Sequence, residues 1–145
     1  MSAHLTAMAF DFGTKKIGVA VGQNITQTAS PLTIIPAQDG IPDWNTIEQL
    51  IKEWQPSFFV VGMPFNMDGT ENQMTLRAQK FLQRLNGRFN IPCYSVDERL
   101  SSREAKDIRR NMAEAHGKTY KDRDAIDSIA AQLILENWFA ATENS

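Results

Sequence analysis

The sequence predicts a mixed α/β fold in which one sheet carries helices on both faces. Three β-like segments come first, and helical and β-like segments then alternate along the chain. The 145 residues lie in the usual range of one compact domain, and neither a linker nor an internal repeat divides them. We therefore expect residues 1–145 to form a single domain with the element order βββαβαβαα.

The three opening strands are predicted from apolar runs separated by turn residues. Residues 7–12 are almost continuously apolar, as expected of a strand buried on both faces, and Asp11 is their one charge. A second run, 17–22, follows so closely that the two segments should pair as a hairpin. A third short strand, 32–35, lies between two prolines, which are typical of the ends of an edge strand.

Four helices and two further strands complete the predicted order. The start signals are Asp43 as N-cap of the first helix, a Thr70–Gln73 capping box for the second and a Ser101–Glu104 capping box for the third. Gly87 is expected at the C-cap of the second helix. The remaining predicted segments are strands over 58–61 and 93–96, a polar and basic loop over 113–123, and a last helix from 124 to about 140.

Composition excludes several classes of protein. No apolar run approaches the ~20 residues that cross a bilayer, and the first residues lack the basic and apolar regions of a secretory signal. Cys93 is the one cysteine, so neither an internal disulfide nor a cysteine-rich zinc site can form. We expect a cytoplasmic protein with no membrane partner.

The distribution of charge is more informative than the net charge of -2. Residues 1–70 carry a balance of -3, residues 71–123 one of +5, and residues 124–145 one of -4. A basic middle third between acidic ends could place a cationic surface beside an anionic site.

Acidic residues interrupt the apolar patterns where strands end. A lone buried carboxylate is costly, so Asp11 needs a partner, a metal ion or a raised pKa, unless it merely caps the turn that follows it. Asp97 and Glu98 end the last strand and alternate between its faces, so at most one of them can join Asp11 directly. Either could instead favour the start of the next helix, where an acid is stabilising.

Two more acids lie one turn apart on the last helix. Asp127 is followed by Ala131 and Ile134 at helical spacing, so it should face the sheet, whereas Asp124 fits ordinary capping. Together the separated carboxylates form a set of hard oxygen ligands that suits Mg²⁺ or Mn²⁺. Two such ions ~4 Å apart can activate water and stabilise the leaving oxygen when a phosphodiester is attacked.

Basic residues at helical spacing supply a second signal. They are Arg77, Lys80, Arg84 and Arg88 on the second helix, Arg103, Lys106 and Arg110 on the third, Arg99 just ahead of it, and Lys121 in the loop. A solvated helix surface shows the same pattern, but cations spaced along a surface also suit a phosphate backbone. A nucleophilic serine or cysteine mechanism is unsupported, because Cys93 has no base near it in the sequence.

Four ordered motifs make the sequence similar to the YqgF (RuvX) family. They are DFGTKKIGVAVG from Asp11 to Gly22, VGMP from Val61 to Pro64, DERLS from Asp97 to Ser101, and DSIAA from Asp127 to Ala131. The resemblance, like the element order, implies a ribonuclease H-like fold, here related to Holliday-junction resolvases. It also implies a cytoplasmic nuclease that matures the 5′ end of pre-16S ribosomal RNA. Its acidic triad would be Asp11, Glu98 and Asp127, with Asp97 and Asp124 as helpers.

The preferred hypothesis is therefore a metal-dependent nuclease of structured RNA, monomeric or homodimeric, in which Lys15 and Arg99 contact phosphate. One alternative is a resolvase of branched DNA, whose paired cuts require a dimer. Another is a small-molecule phosphotransferase, because the Asp-x-Gly-Thr at Asp11 resembles a phosphate motif of sugar kinases, although this chain supplies only one half of such a clamp. A third is a module that binds nucleic acid without cutting it.

Overall fold

The computed structural model of the chain describes residues 5–97 and 122–143, apart from the side chains of 122–128 and of Glu143. Its elements are β1 (Thr6–Asp11), β2 (Lys16–Gln23), β3 (Thr28–Gln38), β4 (Ile41–Pro42), α1 (Trp44–Trp54), β5 (Phe58–Met63), α2 (Gln73–Phe89), β6 (Cys93–Asp97) and α3 (Asp122–Glu143). The predicted third helix, the capping box at Ser101, and residues 113–121 of the predicted loop lie outside the described residues. No described helix has both the length and the apolar character needed to span a membrane.

Six strands form one mixed sheet in the order β4-β3-β2-β1-β5-β6. The pairs β1–β2, β2–β3 and β3–β4 are antiparallel, whereas β1–β5 and β5–β6 are parallel. The predicted mixed sheet and the predicted opening hairpin are thereby confirmed. Because β1, β5 and β6 run in the same direction, their carboxyl ends meet at one edge of the sheet, and Asp11 and Asp97 are the last residues of β1 and β6.

One face of the sheet, which we call the α1/α2 face, is packed with large side chains. Phe10, Phe59 and Phe81 are nearly inaccessible to solvent, and the ring of Phe10 meets the other two edge-on at 5.5 Å. Ile47 of α1 and Leu85 of α2 complete the same cluster. Edge-to-face aromatic pairs add to the stabilisation that burial alone gives.

The opposite face, the α3 face, covers β1 with smaller residues and has a separate aromatic group, which consists of Phe58, Tyr94, Trp138 and Phe139. Ala7 and Ala9 of β1 are fully buried there, and Ile134 and Leu135 of α3 pack in the same cluster. A Cβ at Gly22 would lie 2.8 Å from Leu135 Cδ2, so the helix rests almost directly on the backbone of β2. Helices therefore cover both faces of the described sheet, as predicted.

The third strand is longer than expected. β3 spans eleven residues and passes through both prolines, so the prediction that it ends at them was wrong. Pro31 lies opposite Ala20, where the register of β2 shifts, and Pro36 lies opposite Lys16, the first residue of β2. A strand tolerates a residue without an N–H at such irregular or terminal positions.

The ends of two helices show where local signals were correct and where they misled. Asp43 caps α1 as predicted, accepting a hydrogen bond from the Asn45 N–H at 3.0 Å. The capping box of α2 is Asn72 with Thr75, not Thr70 with Gln73, since the Asn72 Oδ1 accepts from the Thr75 N–H at 2.9 Å. Thr70 is instead bound to Asp68, whose carboxylate accepts from both its N–H and its hydroxyl.

The carboxyl end of α2 and the extent of α3 also differ from expectation. Gly87 lies inside α2, and the helix ends at Asn90, whose φ of 54° is the left-handed conformation that Asn tolerates. α3 begins at Asp122 and reaches Glu143, so it extends beyond the predicted range at both ends. Its buried residues include Leu135 and Phe139.

Candidate functional site

Asp11 is half-buried at the carboxyl end of β1, between two glycine positions. It pairs with Gly18 of β2, and the parallel register that joins Phe10 to Val61 brings Gly62 next to it on β5. Neither neighbouring strand therefore places a side chain directly beside this carboxylate. The positions nearest to Asp11 on both neighbouring strands are therefore glycines.

The loop after Asp11 is held in place by backbone contacts. A Cβ at Gly13 would lie 2.5 Å from the carbonyl oxygen of Lys16, so only glycine fits this close turn. The Gly40 N–H donates to the Thr14 carbonyl at 2.9 Å, and the Ala37 N–H donates to the Lys15 carbonyl at 2.8 Å. The exposed side chain of Lys15 thus stands on a fixed backbone next to Asp11.

Strand alternation assigns the acids of β1 and β6 to faces of the sheet. Asp11 follows Ala7 and Ala9 at intervals of two residues along β1, so it lies on the same face as they do, the α3 face. In β6, Val96 belongs to that face, whereas Asp97 lies opposite Met63 of the α1/α2 face. Asp97 and Asp11 are therefore on opposite faces of the sheet. Glu98 lies outside the described residues.

The predicted acids of the last helix are described only by their backbone. Asp124 and Asp127 both lie within α3, and Asp127 precedes the buried Ala131 and Ile134 by four and seven residues. Gln132 ties α3 to the sheet, its Nε2 donating to the Ala29 carbonyl at 3.0 Å. Position 127 thus lies on the same helical face as residues that pack on the sheet.

The donor chemistry of Asp11 fits the predicted metal. A half-buried carboxylate at a strand end is a hard oxygen ligand of the kind that Mg²⁺ and Mn²⁺ prefer. Within residues 5–97 and the described part of α3, no group of three or more His, Cys, Asp or Glu side chains is arranged to hold a metal ion. Of the three predicted ligands, Asp11 is the one whose side chain the structure describes.

The basic residues predicted on α2 divide into two groups. Arg77, Lys80 and Arg84 are exposed and line one groove with the β3–β4 turn, where Arg77 Nη1 lies 2.7 Å from Asp39 Oδ1. The hydrogen bond and the positive charge of Arg77 lower the pKa of the Asp39 carboxyl. Arg88 instead stacks its guanidinium over the Trp44 ring at 4.4 Å. The other predicted contacts, Arg99, Arg103, Lys106, Arg110 and Lys121, lie outside the described residues.

Two features beside the site were missed from the sequence. The loop after β5 is ordered by its own polar side chains, since Asn66 bonds to Thr70 and Asn72 at 3.0 Å each. The β3–β4 turn brings Asp39 to Arg77, although 38 residues separate them in sequence. The Asp39-Gly40 dipeptide was a usable signal, because Asp-Gly between β-like segments is typical of a tight hairpin turn.

Comparison with known proteins agrees with this geometry. A family model described as "RuvX: Holliday junction resolvase" matches residues 5–141. A protein of Saccharophagus degradans named "Putative pre-16S rRNA nuclease" is 57% identical over 134 residues, which are 92% of each chain. A protein of the same name from Pseudomonas fluorescens is 56% identical over 131 residues, 90% of this chain and 89% of its own.

Solved structures show the fold. RuvC of T. thermophilus in complex with a Holliday junction substrate aligns with a TM-score of 0.57 at 14% identity, covering 97% of this chain and 96% of its own. The Fowlpox virus resolvase bound to junction DNA aligns with a TM-score of 0.53 at 13% identity, covering 95% and 99%. The fold is that of RuvC-like proteins of the ribonuclease H class. With a family match over nearly its whole length and relatives more than half identical, the chain belongs to the RuvX family.

Proposed function

We propose that this chain is a metal-dependent nuclease that hydrolyses phosphodiester bonds near the 5′ end of pre-16S ribosomal RNA in the cytoplasm. The observation that carries the proposal is Asp11, a half-buried carboxylate between glycine positions at the end of β1, in a chain of the RuvX family. The name of its relatives, more than half identical over about nine-tenths of both chains, supports the choice of substrate.

In this proposal Asp11, Glu98 and Asp127 would hold Mg²⁺ or Mn²⁺, with Asp124 as a helper. The assignment of Glu98 rather than Asp97 is supported by the face of Asp97: this residue pairs with Met63 and therefore lies on the face of the sheet opposite to Asp11. When bound, the ion would supply Lewis-acid activation of water and stabilisation of the leaving oxygen.

The chain's own groups have two further tasks at this site. The Lys15 ammonium, exposed on its fixed loop, is placed to attract a phosphate beside Asp11, and Arg99 is assigned the same task. The negative carboxylates repel a phosphate, so the substrate is expected to approach the site from the side of Lys15 and Arg99. One domain of residues 1–145 suffices for these roles.

The decisive experiment is cleavage of an RNA carrying the 5′ leader of pre-16S rRNA, in Mg²⁺ and separately in Mn²⁺. We expect Asp11→Asn to lower the rate by at least about 100-fold, which corresponds to roughly 3 kcal/mol of transition-state stabilisation. Glu53→Gln, an exposed acid on α1, is the matched control and should cleave as the wild type does. Equal rates for wild type and Asp11→Asn would remove Asp11 from the mechanism.

The same assay separates the two acids that end β6. Glu98→Gln should lose activity as Asp11→Asn does, whereas Asp97→Asn should lose less than about tenfold, because its carboxylate lies on the other face of the sheet. A larger loss for Asp97→Asn than for Glu98→Gln would reverse the assignment. Unchanged RNA binding without turnover in any metal would instead favour a module that binds nucleic acid without cutting it.

A second candidate function is resolution of four-way DNA junctions, which the description of the family favours. Symmetric paired cuts require two active sites, and hence a dimer. Cleavage of a synthetic junction at paired positions by a dimeric species would support this function over RNA processing. A strictly monomeric protein that cuts the RNA leader alone would eliminate it.

A further inference from the structure

A groove of about 220 Å³ lies between α2 and the β3–β4 turn. Its apolar floor is formed by Phe12 and Phe81, which are 9% and 2% exposed. Its walls are polar: Arg77, Lys80 and Arg84 lie on the helix side. Residues at these spacings share one face of a helix, so the three cations form a row along the groove.

Among the described residues, few acids neutralise this row. α2 contains four basic and no acidic residues, and of the described residues that line the groove, Asp39, which pairs with Arg77, is the one acid. Across the described parts of the chain, Lys80 and Arg84 form no ion pair, whereas Lys52 on the neighbouring helix α1 lies 3.7 Å from Glu48. With respect to residues 5–97 and 122–143, the groove therefore presents two unpaired positive charges and a third that is paired with Asp39.

The position of the groove relates it to Asp11. Phe12, in the floor, directly follows Asp11, the last residue of β1, at the edge of the sheet where the carboxyl ends of the parallel strands meet. At 1.5 Å rise per residue, the three cations span about 10 Å, which is the length of roughly three nucleotide steps of 3.4 Å along one strand. A strand lying in the groove would continue over this edge towards the α3 face, on which Asp11 lies.

We propose that this groove binds the phosphodiester backbone of the nucleic-acid substrate, next to the segment that is cut. The inference rests on the proposed nuclease function for the identity of the substrate, but the groove itself is argued from its charges. Lys80 and Arg84 bind phosphate directly. The contacts are to the backbone and carry no base specificity, since none of the described residues that line the groove offers an exposed aromatic ring.

Asp39 acts as a competitor for Arg77. The turn that carries it has positive φ at both central residues, 50° at Asp39 and 81° at Gly40, and Gly40 packs against the Phe12 ring. The Gly40 N–H is bound to the loop after Asp11, so the turn holds the carboxylate firmly at the rim. An incoming phosphate must replace this carboxylate to gain Arg77, which lowers the affinity of the groove until a strand fills it.

The test measures binding separately from cleavage, in an Asp11→Asn background. Fluorescence anisotropy with a labelled RNA of the pre-16S 5′ leader, and with DNA of the same sequence, is followed as salt is raised. Lys80→Gln and Arg84→Gln should each weaken binding about fourfold near physiological salt and reduce the slope of log K against log salt by ~0.7. Asp39→Asn, which keeps the left-handed turn, should tighten binding about two- to fourfold.

Lys52→Gln is the matched control, an exposed lysine on the same face of the sheet but on an acidic helix, and it should leave affinity and slope unchanged. Three outcomes would each overturn the groove proposal. They are unaltered binding by both Lys80→Gln and Arg84→Gln, an equal loss of affinity for Lys52→Gln, and no binding of RNA or DNA by the Asp11→Asn parent. Thermal unfolding of every variant shows whether it is folded. If binding depends on the groove but the wild type does not cleave, the nuclease function is rejected and the groove proposal stands. If the wild type cleaves and the groove substitutions change neither binding nor cleavage, the groove proposal is rejected and the nuclease function stands.

Discussion

The two faces of the sheet are packed with different kinds of side chain. On the α1/α2 face, rings from three elements interlock, with Trp44 of α1 stacked on Phe81 of α2 at 5.9 Å and Phe10 of β1 beneath. On the α3 face, the strands contribute Ala7, Ala9 and Ala29, and the helix contributes further alanines, Ala130 and Ala131. The α1/α2 face thus packs rings over β1, whereas the α3 face packs alanines there and has its own rings, Phe58, Trp138 and Phe139, at the beginning of β5.

The difference is consistent with the proposed site, because two of its acids are assigned to α3. Small residues let α3 approach the strands closely, and α3 is the helix that carries Asp124 and Asp127. In the proposed site these two positions lie near the end of β1, so added bulk on this face is expected to disturb the site. The α1/α2 face contains the larger cluster of buried apolar residues, whose burial stabilises the domain. Stability and candidate chemistry are thus divided between the two sides of one sheet.

The α1/α2 face should lose most stability when a large buried side chain is removed. Phe81→Ala removes a ring that contacts Phe10, Phe12 and Trp44, and it should lower the free energy of unfolding by about 3–5 kcal/mol. Urea unfolding monitored by circular dichroism measures this change. A loss below about 1 kcal/mol would show that this face is not the main source of stability.

The α3 face should lose stability when volume is added between α3 and β2. Gly22→Ala places a Cβ against the Thr28 backbone and 2.8 Å from Leu135 Cδ2, so it should cost about 1–3 kcal/mol. The same unfolding experiment applies.

Gly87 supplies the matched control for Gly22. A Cβ at Gly87 would meet nothing within 4 Å, and the residue lies inside α2. Gly87→Ala should therefore raise the free energy of unfolding by roughly 0.5–1 kcal/mol, because alanine loses less backbone entropy in a helix. Equal effects of the two substitutions would contradict the contrast between the faces.

The smallest expected effect at neutral pH concerns Cys93, which packs partly against the α1/α2 face. Burial raises the pKa of its thiol from 9.0 to about 11. Because the folded state holds this proton more tightly, the associated stabilisation is complete below pH 9.0 and is lost as the pH rises towards about 11. Alkylation by iodoacetamide at pH 8 should be ~100-fold slower in the folded than in the unfolded chain. Equal rates would show that this face does not shield the thiol.

Much of this architecture could be predicted from local sequence. The apolar runs located β1, β2 and β5, because buried strands of a mixed sheet are marked by continuous hydrophobic segments. Asp43 located the start of α1 because its cap is a contact between near neighbours in sequence. The candidate acid Asp11 was found in the same way, as the one charge in an apolar run.

The features that were missed depend on partners distant in sequence or on competition between equivalent residues. Thr70 and Asn72 can both cap a helix, and the choice is made by Asp68, which binds Thr70. β3 extends through its prolines because β2 provides a partner from Thr28 to Pro36, and β4 pairs with the last two residues. The ion pair of Asp39 with Arg77 and the face on which Asp97 lies both follow from the pairing of strands, which no local pattern specifies.

The short strand β4 has a consequence for how copies of the protein meet one another. It covers only the last two residues of β3, so most of that strand is an open border within the described part of the sheet. Pro31, Pro36 and Pro42 interrupt this border, and between the first two only residues 32–35 offer consecutive amide donors. An extended segment from another copy could not form a continuous ladder there. The prolines thus protect the protein against aggregation along this side while it remains folded.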